Sequence, residues 1–258
     1  MREATMSIND MDFKTKSLIF AKLAGIAYSN LKEAKSQAKK LGFTTIEFYD
    51  RDGAQAYRFM NKSDIVIACR GTQPNEFNDI RADLRAVPVM AETVGKVHLG
   101  FKKEVDDLWP MVCEDINRKA NIKKNLWFCG HSLGAAMATI MASRCLHNDE
   151  LNDPLELYTY GSPRVGWRKY VKSLGVTHHR WVNNNDIVTG VPLWLMGYVH
   201  HGDKHYLNAY GKVRNPSGWQ LFKDRLRGMW MGIKNKRIDN FSDHSITDYI
   251  KHIEEWKI

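Results

Sequence analysis

Apolar and polar positions follow two rhythms along this chain, and the switches between them mark out strands and helices. Leu18, Ile19, Leu23 and Ile26 recur at helical spacing within residues 13–28, with Lys22 on the polar side. Residues 31–41 form a second, lysine-rich helical stretch that Gly42 ends. Residues 44–49 and 55–61 read as strands, and Asp50-Arg51-Asp52-Gly53 between them predicts a hairpin. The short apolar run 65–69 suits a central strand. Residues 101–116 predict a long helix, with Pro110 as a point for a kink. A further central strand is expected at 126–129, an Ala- and Met-rich helix at 133–146, strands at 155–160 and 179–182, and a closing helical segment at 241–256. Strands that alternate with long helices predict an α/β protein with a mixed, mainly parallel sheet flanked by helices. No repeat, low-complexity tract or linker breaks the pattern, so residues 1–258 are expected to form one domain.

Composition narrows the class. The apolar fraction of 43% and eight Trp fit a packed globular protein. The four cysteines, at 69, 113, 129 and 145, have no zinc-site spacing, and three lie in apolar stretches, so reduced thiols are expected. Residues 1–16 carry several charges and no apolar core of signal-peptide length, and no run approaches the roughly 18 apolar residues of a membrane span. A cytoplasmic protein is the expectation from these features. The formal charge of +9 draws the chain toward anionic surfaces. Nucleic acid is not the expected partner, because the aromatic residues are not interleaved with Lys and Arg along one stripe and no zinc finger or helix-turn-helix is present. No obligate protein partner is inferred.

Basic residues concentrate in 212–240, which holds eight Lys or Arg against two Asp. There Trp219, Phe222, Leu226, Met229, Trp230 and Ile233 recur at helical spacing. Two readings follow: a surface helix packed on the sheet, or a basic amphipathic helix that meets a membrane or flanks a greasy cleft.

The chemistry begins at Gly130-His131-Ser132-Leu133-Gly134. An apolar strand precedes this G-x-S-x-G and a helix of small residues follows it, the strand–turn–helix setting of a nucleophile elbow. Glycines at both ends allow strand and helix to approach closely, so that the Ser132 hydroxyl is presented at a sharp turn. The alternative is that Ser132 merely caps the helix. A serine nucleophile needs a base to take its proton and a carboxylate to hold that base in the correct tautomer. In α/β-hydrolases these follow in the order Ser, acid, His. Asp186 follows the strand 179–182 directly, which favours it over Asp153 and Asp203. His200, His201, His205, His244 and His252 are in range for the base, and His244 is preferred because it stands in a loop just ahead of a helix. His200, His201 and His205 with Asp203 could also be read as a metal site, but no acidic or cysteine ligand shell accompanies them. No metal and no cofactor are expected. An oxyanion needs prepared donors. The Leu133 N–H at the helix start is one, and Thr72, in the loop after the strand 65–69, offers its N–H and hydroxyl.

The chain resembles the class 3 lipases, the fungal-lipase-like α/β-hydrolases. The resemblance rests on Arg70-Gly71-Thr72, on Ile80-Arg81-Ala82-Asp83-Leu84 running to Val87-Pro88-Val89, and on Val97-His98-Leu99-Gly100-Phe101. It continues through the elbow, Tyr160-Gly161-Ser162-Pro163-Arg164-Val165-Gly166, Asn185-Asp186 and Asp243-His244. It implies an α/β-hydrolase fold, Ser132 as nucleophile, Asp186 as acid, His244 as base, Thr72 and Leu133 as the oxyanion pair, and Asp83 as the acid steadying the oxyanion loop. It also implies a lid at about 73–89. Only Phe77, Ile80 and Leu84 give that lid a greasy face, and Asp79 stands where many relatives have Trp, so little interfacial activation is expected. The implied activity is hydrolysis of acyl esters, triacylglycerols or short- to medium-chain esters, through an acyl-enzyme. Phospholipase A1 or monoacylglycerol lipase activity, or a non-catalytic scaffold that binds lipid or protein, are the alternatives. The acyl pocket is expected to use Val191, Leu193, Leu195 and the 219–233 helix.

Overall fold

In the computed structural model, residues 7–71, 86–208, 210–214 and 242–256 are described. Helix α1 (Phe13–Ile26) starts where the Asp12 carboxylate accepts the Thr15 N–H at 3.0 Å, and α2 (Leu31–Lys40) where the Asn30 side chain accepts the Glu33 N–H. Strands β1 (Thr45–Arg51) and β2 (Ala54–Met60) pair in an antiparallel hairpin. Its turn uses positive φ at Asp52 and Gly53, the geometry that matches strand twist. β3 (Asp64–Cys69) follows, and every residue in it is buried.

The short strands β4 (Pro88–Met90) and β5 (Lys96–His98) lead into α3 (Leu99–Ile116), which runs on through Pro110. Then come β6 (Asn125–His131), α4 (Leu133–Leu146), β7 (Pro154–Tyr160), β8 (Gly166–Trp167) and α5 (Arg168–Lys172). β9 (Thr177–Asn183), β10 (Tyr198–Val199), β11 (Asp203–Leu207), β12 (Val213–Arg214) and α6 (Ile246–Glu255) complete the order. The expected closing helix is thus shorter, beginning at Ile246 after a 3-10 turn at Ser242–His244.

The main sheet has the order β1-β2-β3-β6-β7-β9-β11-β12, with β3, β6, β7, β9 and β11 parallel. A smaller antiparallel sheet, β10-β8-β5-β4, stands beside it. Alternation in the central strands sends side chains into two cores. Ile65, Ile67, Leu126, Phe128 and Leu157 pack with α3 and α4; Val66, Ala68, Trp127, Tyr158 and Trp181 pack with α1 and α6. Strands buried on both faces read as continuous apolar runs, which is why β3 and β6 lack polar alternation. Because the central strands are parallel, their C-terminal ends share one edge, where ligands of open α/β sheets bind.

Candidate active site

Three adjacent strand ends form the site. β6 delivers the elbow. A Cβ on Gly130 would overlap the backbone of Gly134, and one on Gly134 would overlap the Cys69 carbonyl, so only glycine permits this approach of α4 to β3 and β6. Ser132 sits between them at φ 60°, ψ −129°. A non-glycine residue there stores roughly 1–3 kcal/mol of strain, held by the surrounding packing. Its N–H donates to the Tyr160 carbonyl at 3.0 Å, which locks the elbow to the end of β7. The Ser132 side chain makes no cap to α4, and its buried Oγ has no hydrogen-bond partner among the described residues. The capping alternative therefore fails. Leu133 opens α4, where the first N–H groups have no carbonyl of their own helix to bond.

β9 delivers the acid. Asp186 follows it in a loop, and its side chain is fully buried. Its Oδ1 accepts the Val188 N–H at 2.9 Å, and Oδ2 accepts the Tyr249 hydroxyl at 2.6 Å. Both oxygens stand 2.9 Å from Nδ1 of His244. A carboxylate only accepts, so His244 carries its proton on Nδ1 and keeps the Nε2 lone pair for base work. Gly161, at the end of β7 with φ +58°, fits against both groups; a Cβ there would stand 2.6 Å from Asp186 Oδ2 and 2.8 Å from His244 Cε1. Ser132 and the Asp186–His244 pair thus flank the same strand end, the serine joined to Tyr160 and the pair packed on Gly161.

His131, the variable residue of the motif before the serine, ties the two halves together. Its ring lies 4.4 Å from that of His244, and its Nε2 donates to the His244 carbonyl at 2.6 Å. With Nε2 protonated, Nδ1 accepts the Tyr28 hydroxyl at 2.9 Å. Burial first, and the neighbouring His244 second, push His131 well below the usual histidine range, which keeps it neutral. Asp243 clamps the base loop to β9. Its carboxylate accepts from Asn184 Nδ2 at 3.0 Å and the Asn185 N–H at 3.2 Å, while its carbonyl accepts from Asn183 Nδ2.

Tyr249 and Tyr28 were not singled out from sequence, and His131 and Asp243 stood there only as members of motifs, with no role of their own. Thr72, Asp83, most of the 73–89 lid and the 219–233 helix lie outside the described residues, as does nearly all of 212–240. Gly71 is described, and a Cβ there would stand 3.2 Å from that of Ser132. The loop after β3 therefore passes against the elbow.

The sequence cluster of histidines splits. His205, on β11, points to the α1 face and meets His179 at 3.1 Å. His200 and His201 lie on the opposite face, where His201 meets His178. Among the described residues no group of three or more His, Cys, Asp or Glu is placed to hold a metal. The four thiols are free. Asp203 stands exposed at the start of β11, away from the strand's C-terminal end. Leu193 and Leu195 flank and sit in the 3-10 turn Trp194–Met196, at 55% and 73% exposure, and the 219–233 helix expected to form the acyl pocket with them lies outside the described residues.

This sheet, elbow and loop arrangement is that of an α/β-hydrolase. The chain belongs to the class 3 lipase family, whose model, lipase (class 3), matches residues 66–196. It is similar to toxin TseL of Vibrio cholerae, 29% identical over 71% of this chain and 35% of that protein. It is also similar to the secreted mono- and diacylglycerol lipase A of Penicillium cyclopium, 34% identical over 39% of this chain and 35% of that protein. The chain spans about a third of the length of these curated relatives. Among solved structures it is similar to the Rhizomucor miehei triacylglyceride lipase, with a TM-score of 0.65 and 22% identity over 75% of this chain and 79% of that one. These relatives correct one expectation. A cytoplasmic location does not fit a family whose members include secreted lipases, and the absence of a signal-like stretch in residues 1–16 was too weak a basis for it.

Proposed function

We propose that this chain is a serine ester hydrolase that cleaves acyl esters of lipids through an acyl-enzyme. The observation that carries the reading is the Asp186–His244 pair, buried and hydrogen-bonded at 2.9 Å beside the strained Ser132 elbow. Ser132 is the nucleophile, His244 the base and Asp186 the acid. The Leu133 N–H and Thr72 receive the oxyanion, and Asp83 steadies the loop bearing Thr72. No cofactor takes part.

In the first half-reaction His244 Nε2 takes the Ser132 proton as Oγ attacks the ester carbonyl carbon. The electron pair moved onto the carbonyl oxygen is held by donors already in place. Asp186 stabilises the imidazolium, which then protonates the leaving alcohol as the C–O bond breaks. In the second half water attacks the acyl-enzyme with the same base, releasing the acid. Residues 1–258 act as one hydrolase domain, with about 73–89 as a lid whose small greasy face gives no sharp rate increase at a lipid interface.

The protein also meets anionic lipid surfaces peripherally. Supporting this, Met90, Trp194 and Leu195 are 64%, 67% and 73% exposed. Beside them Lys96, Arg168 and Lys169 line a groove of about 560 Å³ with Met90, Trp167 and Trp194. Apolar side chains rimmed by cations suit an interface of acyl chains and anionic headgroups.

The test is a series of p-nitrophenyl esters of rising chain length, run beside triolein and a phospholipid. A burst of one p-nitrophenol per chain, absent in Ser132→Ala, is expected. Turnover retained by Ser132→Ala would overturn the reading. Trp194→Ala should weaken binding to phosphatidylglycerol vesicles while leaving hydrolysis of soluble esters intact.

A further inference from the structure

On the α4 face of the sheet, behind the loop that follows β7, Arg180 is buried without a counter-charge among the described residues. It projects from β9 and is only 7% exposed. Among the described residues its Nε has no acceptor, and the ionisable groups that act on it are Tyr249 and Arg164, not a carboxylate. It lines a small cavity of about 10 Å³ together with Ser162, Val165, His178 and His200. Among the described residues no carboxylate lines that cavity.

The neighbours cannot neutralise it. His201 Nε2 donates to the Leu174 carbonyl, so its Nδ1 accepts from His178 Nδ1, and His178 Nε2 in turn accepts the Thr159 hydroxyl at 2.7 Å. His200 Nε2 donates to the Thr189 carbonyl at 2.9 Å. Burial holds these rings neutral: His178 is pushed well below the histidine range and His200 down to about 3. Burial also lowers Arg180 itself to about 10, and Arg164 adds repulsion. A buried charge is normally paired or hydrogen-bonded. Here one positive charge faces a space that holds a single water-sized particle.

We propose that this cavity binds one monatomic anion, of which chloride is the abundant form, against the Arg180 guanidinium. The ion supplies the missing negative charge. A water supplies none, and among anions a single atom asks the least of so small a space, where a carboxylate or phosphate is too large. The hydroxyl of Ser162, now donating to the Pro163 carbonyl at 3.0 Å, can turn to the ion. Since β9 continues into the Asp186 loop, the bound anion stabilises the strand that carries the acid. This inference stands apart from the proposed chemistry and does not depend on it.

The test combines crystallography and melting on the intact chain. Crystals grown in sodium bromide should show one anomalous peak beside Arg180 at hydrogen-bonding distance. In solution, the melting temperature should rise saturably with sodium chloride or bromide against sodium gluconate at equal ionic strength. At an anion concentration ten times Kd the folded-to-unfolded ratio should be about elevenfold higher. Arg180→Met should remove the halide dependence, and the wild-type crystal answers the question even if that variant fails to fold. A cavity holding water only, or identical melting in chloride and gluconate, would overturn the proposal. A bromide peak with no saturable stabilisation marks an adventitious ion only and overturns it equally.

Discussion

Replacing Tyr249 with Phe removes a single hydroxyl that makes two buried hydrogen bonds. It donates to Asp186 Oδ2 at 2.6 Å and accepts the Asn183 N–H at 2.9 Å. A hydrogen bond to a charged group contributes about 1.5–3 kcal/mol, and a buried donor left without an acceptor costs about 1–3 kcal/mol. The two losses share one atom and are not additive, so about 3 kcal/mol is expected in all. For a chain of this size that lowers the melting temperature by roughly 6–12 °C. Asp186 keeps the Val188 N–H and His244 but loses the contact that fixes Oδ2. The imidazolium formed in the transition state is then held less well, while the ground-state ester touches none of these atoms. The expected signature is therefore a kcat reduced by about tenfold, on the order of 1.4 kcal/mol, with KM within twofold. Calorimetry gives the first quantity and steady-state kinetics at 20 °C the second. A normal melting temperature with normal kcat would refute the assignment of Tyr249 as a positioning residue. A raised KM at constant kcat would refute the argument that it acts through Asp186.

Asp186→Asn should lower kcat about 10⁴-fold by favouring the wrong His244 tautomer, whereas Asp203→Asn, at an exposed strand start, should stay within twofold; equal losses in p-nitrophenyl ester assays would contradict this. Gly134→Ala places a methyl group against the Cys69 carbonyl and should lower stability by about 1–3 kcal/mol, read as a shifted urea midpoint. Acid should destabilise the fold through its buried histidines. His131 and His178 lie well below their usual range and His200 at about 3, so the unfolded chain takes up protons first. Stability is then full above about pH 6.5 and falls as pH drops toward 3, each ring contributing up to about 1.4 kcal/mol per pH unit. Urea midpoints that are flat between pH 7.5 and 5 would contradict it.

Much of the fold could be read from the chain because its central strands are short apolar runs separated by long helical periods. The β1–β2 hairpin was visible in Asp52-Gly53, whose positive φ values only a few residue types adopt comfortably. Strands β4, β5, β8 and β10 escaped because two or three residues show no period. β11 escaped because Asp203-Lys204-His205 reads as polar, although it pairs in parallel with β9. At the site, the order of Ser132, Asp186 and His244 carried the residue choices. What surrounds them was not legible, since Tyr249, His131 and Tyr28 act through single atoms brought together from distant parts of the chain. Arg180 gave no signal either: one arginine in a polar strand segment looks solvated until the sheet buries it.

The central claim is that the Ser132 hydroxyl, activated by His244, forms a covalent bond to the acyl centre of its substrate. The most direct measurement is intact-mass spectrometry after reaction with a p-nitrophenyl alkylphosphonate, followed by peptide mapping. One phosphonyl group per chain on the peptide that contains Ser132, with one p-nitrophenol released, is the predicted result, and both Ser132→Ala and His244→Ala should stay unlabelled. A protein that hydrolyses esters yet carries no adduct on Ser132, or a label that persists in Ser132→Ala, would contradict the account.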